Sequence, residues 1–86
     1  MFDNLLISNI ERFLGSNVKL RIMGFMQMNS NVNNLKMKLE DDSCILSGND
    51  DFLLSFNINQ VSNLDSDLDI LQIYIDSDLI IIIEKT

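Results

Sequence analysis

From Asn17 onward, apolar residues recur at every second position. In VKLRI, Val18, Leu20 and Ile22 point one way while Lys19 and Arg21 point the other. LKMKLE repeats the pattern, with Leu35, Met37 and Leu39 inward and Lys36 and Lys38 outward. Successive side chains of a strand face opposite sides, so a period of two demands half-buried strands. Before Asn17 the period is helical. Phe2, Leu6, Ile10, Phe13 and Leu14 form one stripe, Leu5 widens it, and Gly15 stands where a helix ends.

The remaining strands follow from the same alternation and from turn residues. Gly24 permits a turn or bulge, after which Met26 and Met28 carry the pattern into a second strand. NSNVNN, residues 29–34, reads as a polar loop. EDDS turns the chain. CILSG and FLLSFNI make a hairpin around GNDD, with Phe52, Leu54, Phe56 and Ile58 on one face. NQVSNLDSD is a connector or a short final barrel strand. DILQIYI and LIIIIE form a last hairpin around DSD. The expectation is a mainly β fold: a helix over residues 1–15, then five or six short antiparallel strands in a small, strongly bent barrel. No linker or repeat divides residues 1–86, which read as one domain.

An 86-residue chain buries only about 60–65% of its unfolded surface, so such domains usually need a staple. The single cysteine, Cys44, excludes an internal disulfide and a cysteine zinc site, and the absence of histidine excludes histidine ligands and histidine acid–base chemistry. Self-association is the support left. LIIIIE points the same way. Leu79, Ile81 and Ile83 face one side, Ile80 and Ile82 the other, and a strand apolar on both faces needs cover on both. The core is one cover. The other is either the helix or a neighbouring subunit, and Leu79, Ile80 and Ile82 are the candidate interface residues.

The N-terminus lacks a basic leader and a cleavage site, and no apolar run approaches the ~20 residues that span a bilayer. The expectation is a soluble cytoplasmic protein with no membrane contact. Absent alanine and proline, with abundant Asn, Ile, Asp, Ser and Leu, fit AT-rich coding of the kind common in low-GC bacteria and phages. The net charge of −7 is uneven. Residues 1–39 carry five cations against two carboxylates, a net of +3, and residues 40–86 carry one against eleven, a net of −10. A basic region and an acidic region are therefore expected.

Asp65, Asp67, Asp69 and Asp76 imitate a calcium loop, but the glycine of its sharp turn is missing and LQIYI alternates like a strand inside it. Nearly all the acids fall in turns, where aspartate bonds nearby backbone N–H groups. No metal or other cofactor is expected.

Two stretches are similar to the motifs of the Sm and Sm-like proteins. NNLKMKLEDD, residues 33–42, resembles the end of the first motif, with Asn34, Leu35 and Met37 in register. FNINQVSNL, residues 56–64, resembles the second at Phe56, Asn59, Val61 and Leu64. Asn57 and Ile58 stand where that family has Arg-Gly, and Asn33 replaces the residue that stacks on a base. The segment from Val18 to Asn34 is short, and residues 65–86 add a C-terminal hairpin to a 17–64 core. The resemblance implies an SH3-like barrel that forms a homo-oligomeric ring by edge-strand pairing and binds single-stranded RNA or DNA. It places the nucleotide pocket at Asn33, Asn34, Asn57 and Asn59. Lys19, Arg21, Lys36 and Lys38 are candidates for phosphate contacts.

Catalysis is the least supported class, because the available groups are carboxylates, four lysines and one tyrosine. A carboxylate-only metal site at Asp50, Asp51, Asp76 and Asp78 is the enzymatic reading, and the chain is expected not to be an enzyme. Against the nucleic-acid ring stands a second binding reading: a small acidic protein whose turns occupy the basic groove of a nucleic-acid enzyme by charge mimicry.

Overall fold

The computed structural model describes residues 3–25, 27–49, 53–76 and 78–86. Phe2 of the helical stripe, Met26, Phe52 and the carboxylates Asp50 and Asp51 lie outside the described residues. The helix α1 spans Asp3–Glu11. Leu6, Ile10 and Phe13 are fully buried, whereas Leu5 is 52% exposed and does not widen the buried stripe. Past Glu11 the chain tightens. The Phe13 amide donates to the Ile10 carbonyl at 2.9 Å, and Gly15 takes a left-handed φ of 80°. The Gly15 amide then donates to the Leu35 carbonyl and the Leu35 amide to the Ser16 carbonyl, tying the helix end to the sheet.

Eight strands follow among the described residues, more than the five or six expected. They are β1 (Val18–Gly24), β2 (Met28–Val32), β3 (Lys36–Glu40), β4 (Ser43–Ser47), β5 (Leu53–Asn57), β6 (Val61–Ser66), β7 (Ile70–Ile75) and β8 (Leu79–Lys85). A single 3₁₀ turn, Ile58–Gln60, joins β5 to β6. The strands form two antiparallel sheets, ordered β2-β1-β8-β7-β6 and β3-β4-β5. No ladder joins the sheets into a closed barrel among the described residues.

The extra strands come from segments with weak apolar signals. NSNVNN is not a loop throughout, since Met28–Val32 pairs along β1 with Lys19 opposite Asn31 and Arg21 opposite Asn29. NQVSNLDSD yields the 3₁₀ turn and β6, so Asp65 lies in a strand rather than a turn. The C-terminal strand β8 is the centre of the larger sheet, between β1 and β7.

One core serves both sheets and the helix. Leu20, Ile22, Leu71, Ile73, Ile81 and Ile83 from the larger sheet meet Cys44, Leu46 and Phe56 from the smaller one, with Leu6, Ile10 and Phe13 in the same cluster. Truncating any of the fully buried leucines or isoleucines to alanine costs about 2–5 kcal/mol. The helix is pinned near the β6–β7 turn. Arg12 donates to the Ser66 hydroxyl at 2.8 Å and the Asp67 carbonyl at 2.9 Å, and Ser66 donates to Asn9 Oδ1 at 2.7 Å. Since Ser66 pairs with the buried Leu71, α1 covers the inner face of the sheet and leaves Ile80 and Ile82 on the outer one. Among the described residues, no helix is long and apolar enough to cross a membrane.

Candidate nucleic-acid interface

Strand alternation places most polar residues of β1, β2 and β3 outward. On β1 these are Lys19 and Arg21, on β2 Asn29 and Asn31, and on β3 Lys36 and Lys38. All are exposed except Arg21, which is half-buried. Asn33, also exposed, continues the series between β2 and β3. The result is a ribbon of amides and cations on the β1–β2 face of the larger sheet, followed in the chain by Lys36 and Lys38 on the outward face of the smaller sheet. Asparagine is disfavoured in strands, so the two on β2, Asn29 and Asn31, have no packing reason to be there. Amide groups pair donor and acceptor as base edges do, and lysines meet phosphates.

The cations are not equally free. Lys38 Nζ lies 3.4 Å from Glu40 Oε2 at the exposed strand end. Arg21 lies 3.7 Å from Glu84 Oε1, and its buried Nε has no hydrogen-bond partner among the described residues. Arg21 and Gln72 are the cross-strand neighbours of Ile82. Ile82 is only 7% exposed, so flanking side chains largely cover it within one protomer, as the aliphatic stem of an arginine can. Leu79 and Ile80 remain half-buried. All three sit on a central strand, so none offers an edge for pairing.

The four candidate asparagines divide into two groups. Asn34 takes a left-handed φ of 57°, which its short polar side chain tolerates. Its amide N–H donates to Asn17 Oδ1 at 3.1 Å, and its Nδ2 donates to Asn49 Oδ1 at 3.2 Å. The Asn33 carbonyl accepts from the Asn49 amide at 2.9 Å. Asn34 is therefore a loop clamp, and Asn33 keeps an exposed side chain beside Lys36. Asn57 instead caps the 3₁₀ turn, its Oδ1 accepting from the Asn59 amide at 2.8 Å.

Register separates the two groups. Asn57 pairs with Ser43, and Ser43 with Glu40, whereas Asn33 and Asn34 precede Lys36 at the opposite end of β3. Four strand steps separate those ends, roughly 13 Å. The turn that lies against the 3₁₀ turn is acidic, since the Ile58 amide donates to the Asp42 carbonyl at 2.7 Å. Asn57 and Asn59 thus neighbour Asp41 and Asp42 in place of the basic ribbon, and one protomer does not gather the four asparagines into one pocket.

The four acids of the calcium-like pattern do not form one site. Asp67 and Asp69 sit at the start of β7 and Asp76 at its end, so the four residues of the calcium-like pattern do not converge. No group of three metal-ligating side chains occurs among the described residues. Cys44 is fully buried, and desolvation pushes its thiol up to about 11, far from the range of a nucleophile at neutral pH.

Asn29 and Asn31 were the residues hidden by the loop reading of NSNVNN. Their signal was the alternation Asn29, Asn31, Asn33 itself, masked because the inward positions include the polar Ser30. No protein-family model, characterised protein or solved structure matches the chain.

Proposed function

We propose that the chain is a non-catalytic, self-assembling Sm-like module whose outward ribbon binds single-stranded RNA or DNA. The observation that carries the reading is a pair of open edges. β5 ends one sheet and β6 ends the other, with one 3₁₀ turn between them. β5, LLSFN, carries no charge and no proline, the devices that normally protect a lone edge. Pairing β5 of one copy to β6 of the next is a head-to-tail contact, which gives a ring when the rotation between copies closes and a filament when it does not. The opening helix and the two antiparallel sheets around one core support the family likeness. In a ring, weak ribbon sites repeat along one strand and gain from multivalency. Light scattering after size-exclusion chromatography tests assembly directly. A closed oligomer is expected, and a protein that stays monomeric at the highest attainable concentration removes the proposal.

One observation favours a second reading, that of an acidic protein-binding module. The Asp42 carbonyl holds the Ile58 amide and the Gln60 carbonyl holds the Asp76 amide at 2.8 Å. Asp41, Asp42, Asp76 and Asp78 therefore gather around the 3₁₀ turn at one end of the molecule. A monomer that binds basic proteins and ignores oligonucleotides would follow from it.

A further inference from the structure

β2 is the edge strand of the larger sheet opposite β6. Its sequence, MNSNV, carries no charge and no proline, and its register along β1 is unbroken from Val18↔Val32 to Ile22↔Met28. None of the devices that keep an edge single, charge, proline or bulge, occurs in it.

The phase of the backbone shows which groups this edge offers. Along a strand, the N–H and C=O groups of successive residues point to alternate sides. The Asn17 carbonyl accepts from the Thr86 amide at 3.3 Å, on the β8 side. The groups of Val18, Leu20 and Ile22 therefore face β2, and those of their partners Val32, Ser30 and Met28 face back. That leaves the N–H and C=O of Asn29 and Asn31 aimed off the sheet. No turn or loop backbone bond reaches them among the described residues. The Asn33 carbonyl, next in this phase, already accepts from the Asn49 amide at 2.9 Å. A partner strand is thus confined to Met28–Val32.

Within that stretch the side chains read alike in both directions: apolar Met28, Asn29, Ser30, Asn31, apolar Val32. Two antiparallel copies related by a twofold axis at Ser30 set Asn29 against Asn31, Met28 against Val32 and Ser30 against itself. Apolar groups then meet apolar groups. Amides meet amides, whose donors and acceptors are self-complementary. In the same register the outward N–H and C=O groups of Asn29 and Asn31 bond across the axis. A shift of one residue would set asparagine against valine and turn the apolar side chains to the wrong face. The basic face does not oppose the contact. The β1 strands of the two copies lie three strand spacings apart, about 14 Å, beyond the screening length of about 8 Å at physiological salt.

We propose that β2 is a self-recognition edge, through which two copies pair about Ser30 and join their larger sheets into one. An unrelated extended peptide would not need the two-way sequence, whereas a second copy does. The axis also gives Asn29 and Asn31 the partners that a single protomer lacks. The contact rests on β2 alone, and neither the β5–β6 pairing nor nucleic acid enters it. Few hydrogen bonds, each of small net worth, make it weak, with a dissociation constant of about 1 mM. It therefore adds little mass at roughly 50 μM.

Single cysteines test the register in the full chain, because the native Cys44 is fully buried and does not compete. On the axis, the two Ser30 residues form a non-hydrogen-bonded pair with Cα atoms about 4.5 Å apart, within reach of a disulfide. Position 29 or 31 stands about 8 Å from its own copy, which is out of reach. Ser30→Cys at roughly 0.5 mM under mild oxidation should therefore form a disulfide dimer at least about tenfold faster than Asn29→Cys or Asn31→Cys. This order runs against exposure, since Ser30 is the least exposed of the three. Asn31→Pro removes an N–H that faces off the sheet, so pairing with β1 survives, which its NMR spectrum verifies. Added to Ser30→Cys, it should cut the disulfide yield to that of Asn29→Cys. In the wild type, the amides of Asn29 and Asn31 should exchange hydrogen more slowly at roughly 2 mM than at roughly 0.05 mM, while that of Ser30, turned toward β1, should not change. Equal cross-linking of the three cysteine variants overturns the proposal, as does exchange at Asn29 and Asn31 that ignores concentration. A ring without Ser30 cross-linking removes this contact alone, and a chain monomeric at roughly 50 μM that cross-links through Ser30 keeps this contact without the ring.

Discussion

The two edges of the smaller sheet are built in opposite ways. β3 carries Lys36, Lys38 and Glu40 on its outward face, three charges in five residues. β5 carries none, and it exposes Leu53 at 69%. Both are edge strands of the same sheet, two strands apart across β4, so solvent alone does not explain the difference. Charged side chains on an edge oppose pairing with another strand. β3 is thus an edge designed to stay single, and β5 is an edge left available. In the proposed assembly the difference assigns separate tasks: β3 offers cations to the nucleic acid, and β5 offers backbone to another copy.

The largest expected effect comes from giving β5 the character of β3. Leu53→Lys with Ser55→Lys puts two lysines on the exposed outward face of β5 while leaving the inward Leu54 and Phe56 in place. Assembly should be lost entirely, seen as a fall to monomer mass by light scattering, with an unchanged far-ultraviolet circular dichroism spectrum. Lys36→Ser with Lys38→Ser is the matched control and should leave the mass unchanged. If the β3 substitutions dissociate the oligomer and the β5 substitutions do not, the assignment of the two edges is reversed.

The strand between the two edges gives the next largest effect. Cys44 faces Leu39 of β3 and Phe56 of β5, and its burial raises the thiol from 9.0 to about 11. Between those values the unfolded chain binds fewer protons than the native one, so stability falls as pH rises. The stabilisation is full below about pH 9 and is lost toward pH 11. Near pH 10.5 the loss attributable to this thiol is about 2 kcal/mol. Urea unfolding of the wild type and Cys44→Ala at about pH 8 and pH 10.5 measures it, because contributions shared by both chains cancel. The alanine variant should start lower and fall less. Parallel falls in the two chains would show that the thiol is not shielded between the edges.

Much of this architecture was legible where side-chain period and burial agree. Val18, Leu20 and Ile22, then Met37, and then Leu71, Ile73 and Ile75 all turn inward as their alternation requires. The helix was expected to run to Gly15 but ends at Glu11, and Gly15, with its left-handed backbone, closes the turn that follows. β2 was legible only at its start, where Met28 carries the alternation; its continuation was hidden because Ser30 stands at an inward position, and β1 supplies the pairing that makes it a strand. The interface was legible as residue types but not as a place. Lys36 and Lys38 share a face as their spacing dictates. Asn57 joined them only through a motif likeness, and the register of β3, β4 and β5, a non-local property, carries it to the far end. Asn34 was legible as a loop residue, but its use as a clamp depends on Asn17 and Asn49, which are distant in sequence.

The smallest effects concern the lysines themselves, and they separate a binding ribbon from a merely protective one. Each phosphate neutralised on a single strand contributes a salt slope of about −0.7. Lys36→Ala with Lys38→Ala should therefore flatten the slope for labelled oligo-U by roughly 1.4, measured by fluorescence anisotropy at several salt concentrations. Glu40→Gln tests the same face from the opposite side. It removes the carboxylate 3.4 Å from Lys38 and should strengthen binding about two- to fourfold, since exposed ion pairs are worth up to about 1 kcal/mol. It should do so without altering oligomer mass, because β3 is the edge that does not pair. A protective edge with no nucleic-acid role predicts no binding in any of these chains. A ribbon that binds predicts opposite signs for Lys38→Ala and Glu40→Gln, a pattern that general loss of stability cannot produce.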